Sequence, residues 1–160
     1  MTIVKQILDE KGHDVWSVRP EESIFGALQL MAEKNIGAVL VMDEDRLVGI
    51  FSERDYARKI VLQGKASRDT AVKEAMTQTV FAVPPDYGVE RCMSLMTEKR
   101  IRHLPVMRDE RVEGVISIGD VVKALISEQA VTIQHLEDYI TTGHREVTKL
   151  REKVDERHTM

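Results

Sequence analysis

The chain has 160 residues, 42% apolar and 31% charged, with a formal net charge of −4 and a pI near 5.8. This length suits one compact domain or two small units sharing a core, and the acidic balance argues against nucleic acid or an anionic membrane surface as the main partner. No apolar run approaches the roughly 20 residues needed to cross a bilayer, and the first residues, Met1-Thr-Ile-Val-Lys-Gln6, lack a signal-peptide core.

In chain order, Ile3, Ile7 and Leu8 can share one face of a short N-terminal helix. Asp9 to Asp14 is a polar turn, and Val15 to Val18 reads as a short strand stopped by Arg19-Pro20. Ser23 is an N-cap for a helix carrying Ile24, Ala27, Leu28, Met31 and Ala32 at helical spacing, which Asn35 ends. Gly37 to Met42 is a continuous apolar run, as expected of a buried strand. A turn over Asp43–Arg46 leads to a strand over Leu47–Phe51, and Ser52 caps a helix running to about Leu62. After a polar linker the same order returns. A short docking segment over Val72–Met76 precedes strand Val80–Val83, helix Val89–Lys99, strands Leu104–Met107 and Val112–Ile116, and a helix from Val121 to Glu128.

The return is a duplication. Gly49-Ile-Phe-Ser-Glu-Arg-Asp55 and Gly114-Val-Ile-Ser-Ile-Gly-Asp120 stand 65 residues apart. Residues 18–55 laid on 83–120 give 13 identities in 38 positions without a gap, among them Met31 with Met96, Ser52 with Ser117 and Asp55 with Asp120. The expected fold is mixed α/β (α+β). Two tandem repeats, each a small three-stranded sheet with two helices, pack sheet against sheet with pseudo-twofold symmetry. The expected boundaries are 1–62 for the first repeat, 63–71 for the linker, 72–128 for the second repeat, and 129–160 for a C-terminal helical extension. In that extension Ile133, Leu136 and Ile140 form an apolar stripe that Gly143 interrupts and Val147, Leu150 and Val154 resume. Both a dimerising or partner-docking helix and a solvated terminal helix fit it. Cys92 reads as a small packed residue on a helix face; a single cysteine excludes an internal disulfide and suits a reducing compartment, the cytoplasm.

The Ser-x-x-Asp junctions carry the chemistry. Ser52 and Ser117 fit N-caps, and Asp55 and Asp120 could complete capping boxes. The same geometry suits a nucleotide. The free amides of a helix start and a Ser hydroxyl can donate to phosphate, while an ionised Asp one turn on can accept from both hydroxyls of a ribose. The other wall would come from Ile101-Arg-His-Leu-Pro105. Arg102 and His103 offer donors to phosphate, Ile101 and Leu104 offer apolar surface to a base, and Pro105 marks an irregular strand start that leaves backbone groups free. The first copy has Ile36, Gly37 and Ala38 there, uncharged but roomy, and Arg54 can supply the charge instead.

These features together resemble the cystathionine-β-synthase (CBS) domain family, in the single tandem pair called a Bateman module. The resemblance covers about residues 1–127 and rests on the doubled Gly-hydrophobic-x-Ser-x-x-Asp motif and on Arg102-His-Leu-Pro-Val106. It implies adenine nucleotides or related adenosyl ligands (AMP, ADP, ATP, NAD(H) or S-adenosylmethionine) bound between the repeats as regulatory ligands. Asp55 and Asp120 map onto the family's ribose-binding Asp, Ser52 and Ser117 onto its phosphate-facing hydroxyl, and residues 36–38 and 101–103 onto its strand-start positions. Thr79, with Val80 beside it, matches a family Thr before the first strand, where the first repeat departs with Asp14. The family also implies a disc-shaped homodimer.

The sequence has no Walker Lys motif, no H-E-x-x-H and no metal-spaced Cys or His cluster, so the expected role is not enzymatic. Nucleotide hydrolysis through Asp120 and His103 lacks a metal or a water-activating arrangement. The leading reading is an energy or redox sensor acting on a separate target protein. The alternative is a ligand-free scaffold working through the C-terminal helix.

Overall fold

A computed structural model describes the backbone of residues 1–158 and the side chains of residues 1–142. The first repeat follows helix α1 (Val4–Lys11) and comprises β1 (Ser17–Val18), α2 (Ile24–Lys34), β2 (Ala38–Asp43) and β3 (Arg46–Ser52). Helix α2 starts where the Ser23 hydroxyl accepts from the Gly26 amide at 3.0 Å, and it stops at Asn35, φ 54° and ψ 49°. Asn tolerates that left-handed conformation, so the helix ends where the sequence says it should. Ile24, Ala27 and Met31 are its buried stripe. Val39, Leu40 and Val41 are all buried in β2, which lies between parallel β1 and antiparallel β3.

The segment after Ser52 differs from the expected α-helix. One helical turn, α3 (Glu53–Asp55), gives way to a π-helix over Tyr56–Val61. The Leu62 amide accordingly reaches the Ala57 carbonyl, five residues back, at 3.1 Å.

The second repeat comprises α4 (Val89–Lys99), β4 (His103–Arg108), β5 (Arg111–Ser117) and α5 (Ile118–His158). Its sheet has two strands, because the expected strand over residues 80–83 shrinks to one bridge, Val83 beside Val106. Proline explains the loss. In the first repeat the Leu40 amide donates to the Trp16 carbonyl at 3.1 Å, whereas the matching position is Pro105, which has no N–H to give Phe81. Both hairpins carry the same bulge. Val41 and Met42 face Gly49 and Leu47, and Val106 and Met107 face Gly114 and Val112.

The repeats are interlocked. Helix α1 precedes the first repeat but docks on the second. The Val4 and Lys5 amides donate to the Tyr87 and Pro85 carbonyls at 2.9 and 2.8 Å, and Val4, Ile7 and Leu8 join Val89, Met96, Leu104 and Ile116 in one core. Conversely, the single 3₁₀ turn Val72–Glu74 precedes the second repeat but closes the first. Val72 and Ala75 pack with Ile24, Met31 and Phe51, and the Thr77 amide donates to the Ile50 carbonyl at 2.8 Å. The expected N-terminal helix and the expected docking segment are therefore one helix and one 3₁₀ turn, each seated on the opposite repeat. A glycine receives each of them. A Cβ at Gly49 would lie 2.6 Å from Met76 Sδ, and one at Gly114 would lie 2.7 Å from Leu8 Cδ2.

Helix α5 runs without a break from the second repeat's Ser117 junction to His158, through Gly143. Its early residues join the core at Val121. Beyond Glu128 it leaves the body, with Val131, Ile133, Leu136 and Ile140 more than half exposed. Val147, Leu150 and Val154 of the anticipated stripe lie outside the described side chains.

Candidate functional site: two clefts between the repeats

The first cleft, of about 420 Å³, draws on both halves. Repeat one supplies Gly37, Ile50, Ser52, Arg54, Asp55 and Lys59; repeat two and its lead-in supply Thr77, Thr79, Val80, Phe81, Arg100, and Ile101 to His103. Asp55 is 8% exposed and is held from four directions. Its Oδ2 accepts from the Ser52 amide and the Ser52 hydroxyl, both at 3.0 Å. Its Oδ1 accepts from the Thr77 hydroxyl and lies near Lys59 Nζ, each at 3.1 Å. These donors hold a nearly buried carboxylate in one orientation beside the cleft. Across the cleft, Arg54 Nη1 donates to the Arg100 carbonyl at 2.7 Å and ties the two halves together.

The second cleft, of about 400 Å³, is the pseudo-symmetric partner. Asp14, Trp16, and Ile36 to Ala38 line it from the first repeat, and Val115 and Ser117 from the second. Gly37, Ile50 and His103 line both clefts, so the two spaces meet there. Lys11 occupies the position that backbone fills in the first cleft. Its Nζ donates to the Val115 carbonyl at 3.0 Å and to Asp120 Oδ2 at 2.7 Å, while the Ser117 amide donates to the same Oδ2 at 2.8 Å. Burial works against the Asp120 charge, but the bonds from Lys11 and Ser117 outweigh it and hold this carboxyl below its ordinary value. His103 is pushed below its ordinary value by burial, then by the charge of Lys11; Asp120 opposes and Arg102 reinforces.

Of the residues singled out in the sequence, Gly37, Ser52, Arg54, Asp55, Thr79, Val80, Ile101, Arg102 and His103 line the first cleft. Ile36, Gly37, Ala38, His103 and Ser117 line the second. Three do neither. Leu104 is fully buried in the second core, because its side chain points to the opposite face of β4 from His103. Pro105 is buried, and its carbonyl accepts from the Val83 amide at 3.0 Å; the backbone group that the proline frees is the Phe81 carbonyl on the neighbouring segment. Asp120 lies behind Lys11 in a groove between α1 and α5. The pairing of motif with wall also crosses the repeats: Asp55 of the first shares a cleft with residues 100–103 of the second. Sequence reading missed Lys11, Lys59, Thr77, Arg58 and Arg100. Only Lys59, one turn beyond Asp55, carried a local signal.

Among the described residues no group of three His, Cys, Asp or Glu side chains is arranged to hold a metal ion. No described helix is long and apolar enough to cross a membrane.

The CBS domain family model matches residues 4–62 and 72–127. CBSX3 of Arabidopsis thaliana, described as a mitochondrial CBS domain-containing protein, is 37% identical over 153 residues, 89% of this chain and 74% of its own. A solved CBS-domain protein from Burkholderia ambifaria superposes with a TM-score of 0.78 at 49% identity, covering 80% of this chain and 96% of that one. The CBS domain pair of protein MJ0100, solved with 5′-methylthioadenosine and S-adenosyl-L-methionine, superposes with a TM-score of 0.71 at 28% identity, covering 80% and 98%.

Proposed function

The chain belongs to the CBS domain family, and on that footing we propose that it is a regulatory module that binds an adenosyl ligand between its repeats and modulates a separate partner protein. The observation that carries this reading is Asp55, a nearly buried carboxylate oriented by Ser52, Thr77 and Lys59 on the floor of a cleft lined by both repeats. A ribose accepted there would bridge the two halves through its base and phosphates. The ligand can regulate only if it binds two arrangements of the halves, or of two modules in a homodimer, with different affinity. AMP, ADP, ATP, NAD(H) and S-adenosylmethionine are the candidate signals, which makes the module an energy or redox sensor. It acts by binding rather than catalysis, on a target supplied by another chain, in a reducing compartment, the cytoplasm in our reading.

The exposed apolar positions of α5 beyond Glu128 favour one other reading, a scaffold that works through this helix with its clefts empty. Thermal unfolding with each candidate ligand discriminates the two. A ligand at a hundred times its dissociation constant adds about 2.7 kcal/mol, a rise on the order of 5–10 °C for a chain of this size. A rise with one ligand class supports the sensor and names its signal. No rise with any, from protein freed of carried-over nucleotide, favours the scaffold.

A further inference from the structure

The two clefts share a plan but not a charge. The first is lined by Arg54, Arg58, Arg100 and Arg102 against one further carboxylate, Glu53, with Lys59 already engaged by Asp55, so cations outnumber anions there. Among the described residues none of the four guanidiniums is paired with a carboxylate. The second cleft has Lys11, committed to Asp120, and the acidic Asp14.

Two details indicate that the cluster is built rather than scattered. Arg100 holds the left-handed conformation, φ 56° and ψ 44°, at the end of α4. The matching residue of the first repeat is Asn35, whose short side chain suits that backbone better, so arginine there runs against the local preference. The Arg100 carbonyl in turn accepts from Arg54 at 2.7 Å, which anchors the Arg54 guanidinium of the first repeat on the Arg100 backbone of the second. Like charges gathered around one cleft repel, and a multivalent anion relieves that repulsion. Guanidiniums also match phosphate oxygens two at a time.

We infer that the first cleft is a polyphosphate site: it takes a ligand with two or more linked phosphates, and the second cleft does not. This rests on the nucleotide reading above and adds the phosphate class and the assignment to one cleft.

Titration calorimetry of the full chain with ATP, AMP and inorganic tripolyphosphate tests it, alongside Arg58→Gln/Arg102→Gln. Both side chains are exposed and make no hydrogen bond among the described residues, so the variant should fold, with an unchanged melting temperature without ligand as the check. The expected results are ATP at least about tenfold tighter than AMP, displacement of ATP by tripolyphosphate, and a several-fold fall in the ATP-to-AMP affinity ratio in the double variant. ATP and AMP binding equally, with tripolyphosphate inert, overturns the polyphosphate assignment and leaves the nucleotide reading standing. Tripolyphosphate binding with no nucleotide bound does the reverse. An unchanged ratio in the double variant, or loss of ATP binding on Asp120→Ala but not on Asp55→Ala, overturns the assignment to the first cleft.

Discussion

The ammonium of Lys11 and the carboxylate of Asp120 meet at 2.7 Å across 109 residues of sequence. Lys11 ends α1, the helix that the first repeat lends to the second, so this bond exists only because the halves are exchanged. It also occupies the carboxylate that the duplication would otherwise offer as a second copy of Asp55.

Replacing Lys11 by Met should therefore release Asp120. The pair is partly exposed, so the stability lost at neutral pH should be about 0.5–1 kcal/mol. The folded carboxyl sits below its ordinary value of 3.8, so this contribution is present above that value and disappears as pH falls through the folded one. Urea unfolding should show wild type and variant separated at neutral pH and converging only as pH falls below the folded carboxyl's value. Curves that stay parallel would contradict the bond's role.

Asp55 is the residue whose loss should be felt in both ligand binding and stability. Asp55→Ala removes the acceptor shared by Ser52, Thr77 and Lys59. Charge-assisted hydrogen bonds contribute about 1.5–3 kcal/mol each, so a ribose-containing ligand should weaken at least about tenfold. Calorimetry with the ligand found in the thermal panel checks this; unchanged affinity would remove Asp55 from the site.

His103 stands where the clefts meet and should make the unliganded protein sensitive to mild acid. Burial comes first in holding its folded pKa below 6.5; Lys11 from α1 and its neighbour Arg102 act in the same direction, and Asp120 from α5 opposes. Above pH 6.5 both states are neutral. As pH falls below that value the unfolded chain takes the proton first, so stability declines until the folded ring is protonated too. Melting temperature should fall with pH through this window in wild type, and the slope should flatten in His103→Gln. A phosphate bound beside the ring would favour its charged form, so polyanion affinity should rise over the same window.

The interlock predicts unequal costs from small changes where α1 seats on the second repeat. Leu8 is 1% exposed within the core of the repeat it does not precede. Leu8→Ala should cost about 2–5 kcal/mol. Gly114→Ala drives a Cβ to within 2.7 Å of the same side chain and should cost about 1–3 kcal/mol. Combined, the two should cost less than their sum, because the smaller residue 8 leaves room for the new methyl. Chemical denaturation of the four proteins measures the coupling.

The parts most legible in the sequence were those set by local chemistry. Ser23 and Asn35 bound α2 because capping depends on residues a few positions apart, and the doubled Ser-x-x-Asp was visible as a motif and recurs as matching hydrogen bonds, Ser52 to Asp55 and Ser117 to Asp120. What depended on which half a segment visits was not legible. A period of 65 says that two units are alike, not that α1 seats on the far one, so Lys11 and Thr77 carried no signal. The Val80–Val83 strand is reduced to one bridge because Pro105 lacks the N–H that its neighbour Phe81 would need, a consequence that shows only once the pairing partner of Pro105 is known. Leu104, expected to offer apolar surface to a base, is buried in the second core because alternation along a strand sends it away from the face that His103 shows the clefts.

The exchanged segments also fix what a half of this molecule could be. A fragment ending in the linker would carry α1 with nothing to cover and a first core missing Val72 and Ala75; the remaining fragment would hold that missing cover and lack Val4, Ile7 and Leu8. Neither piece closes its own interior, yet each holds what the other needs. Cut there, the chain becomes two obligate partners, and a gene for a single unit with its own leading segment would encode a protein that completes itself only by trading that segment with a sister copy.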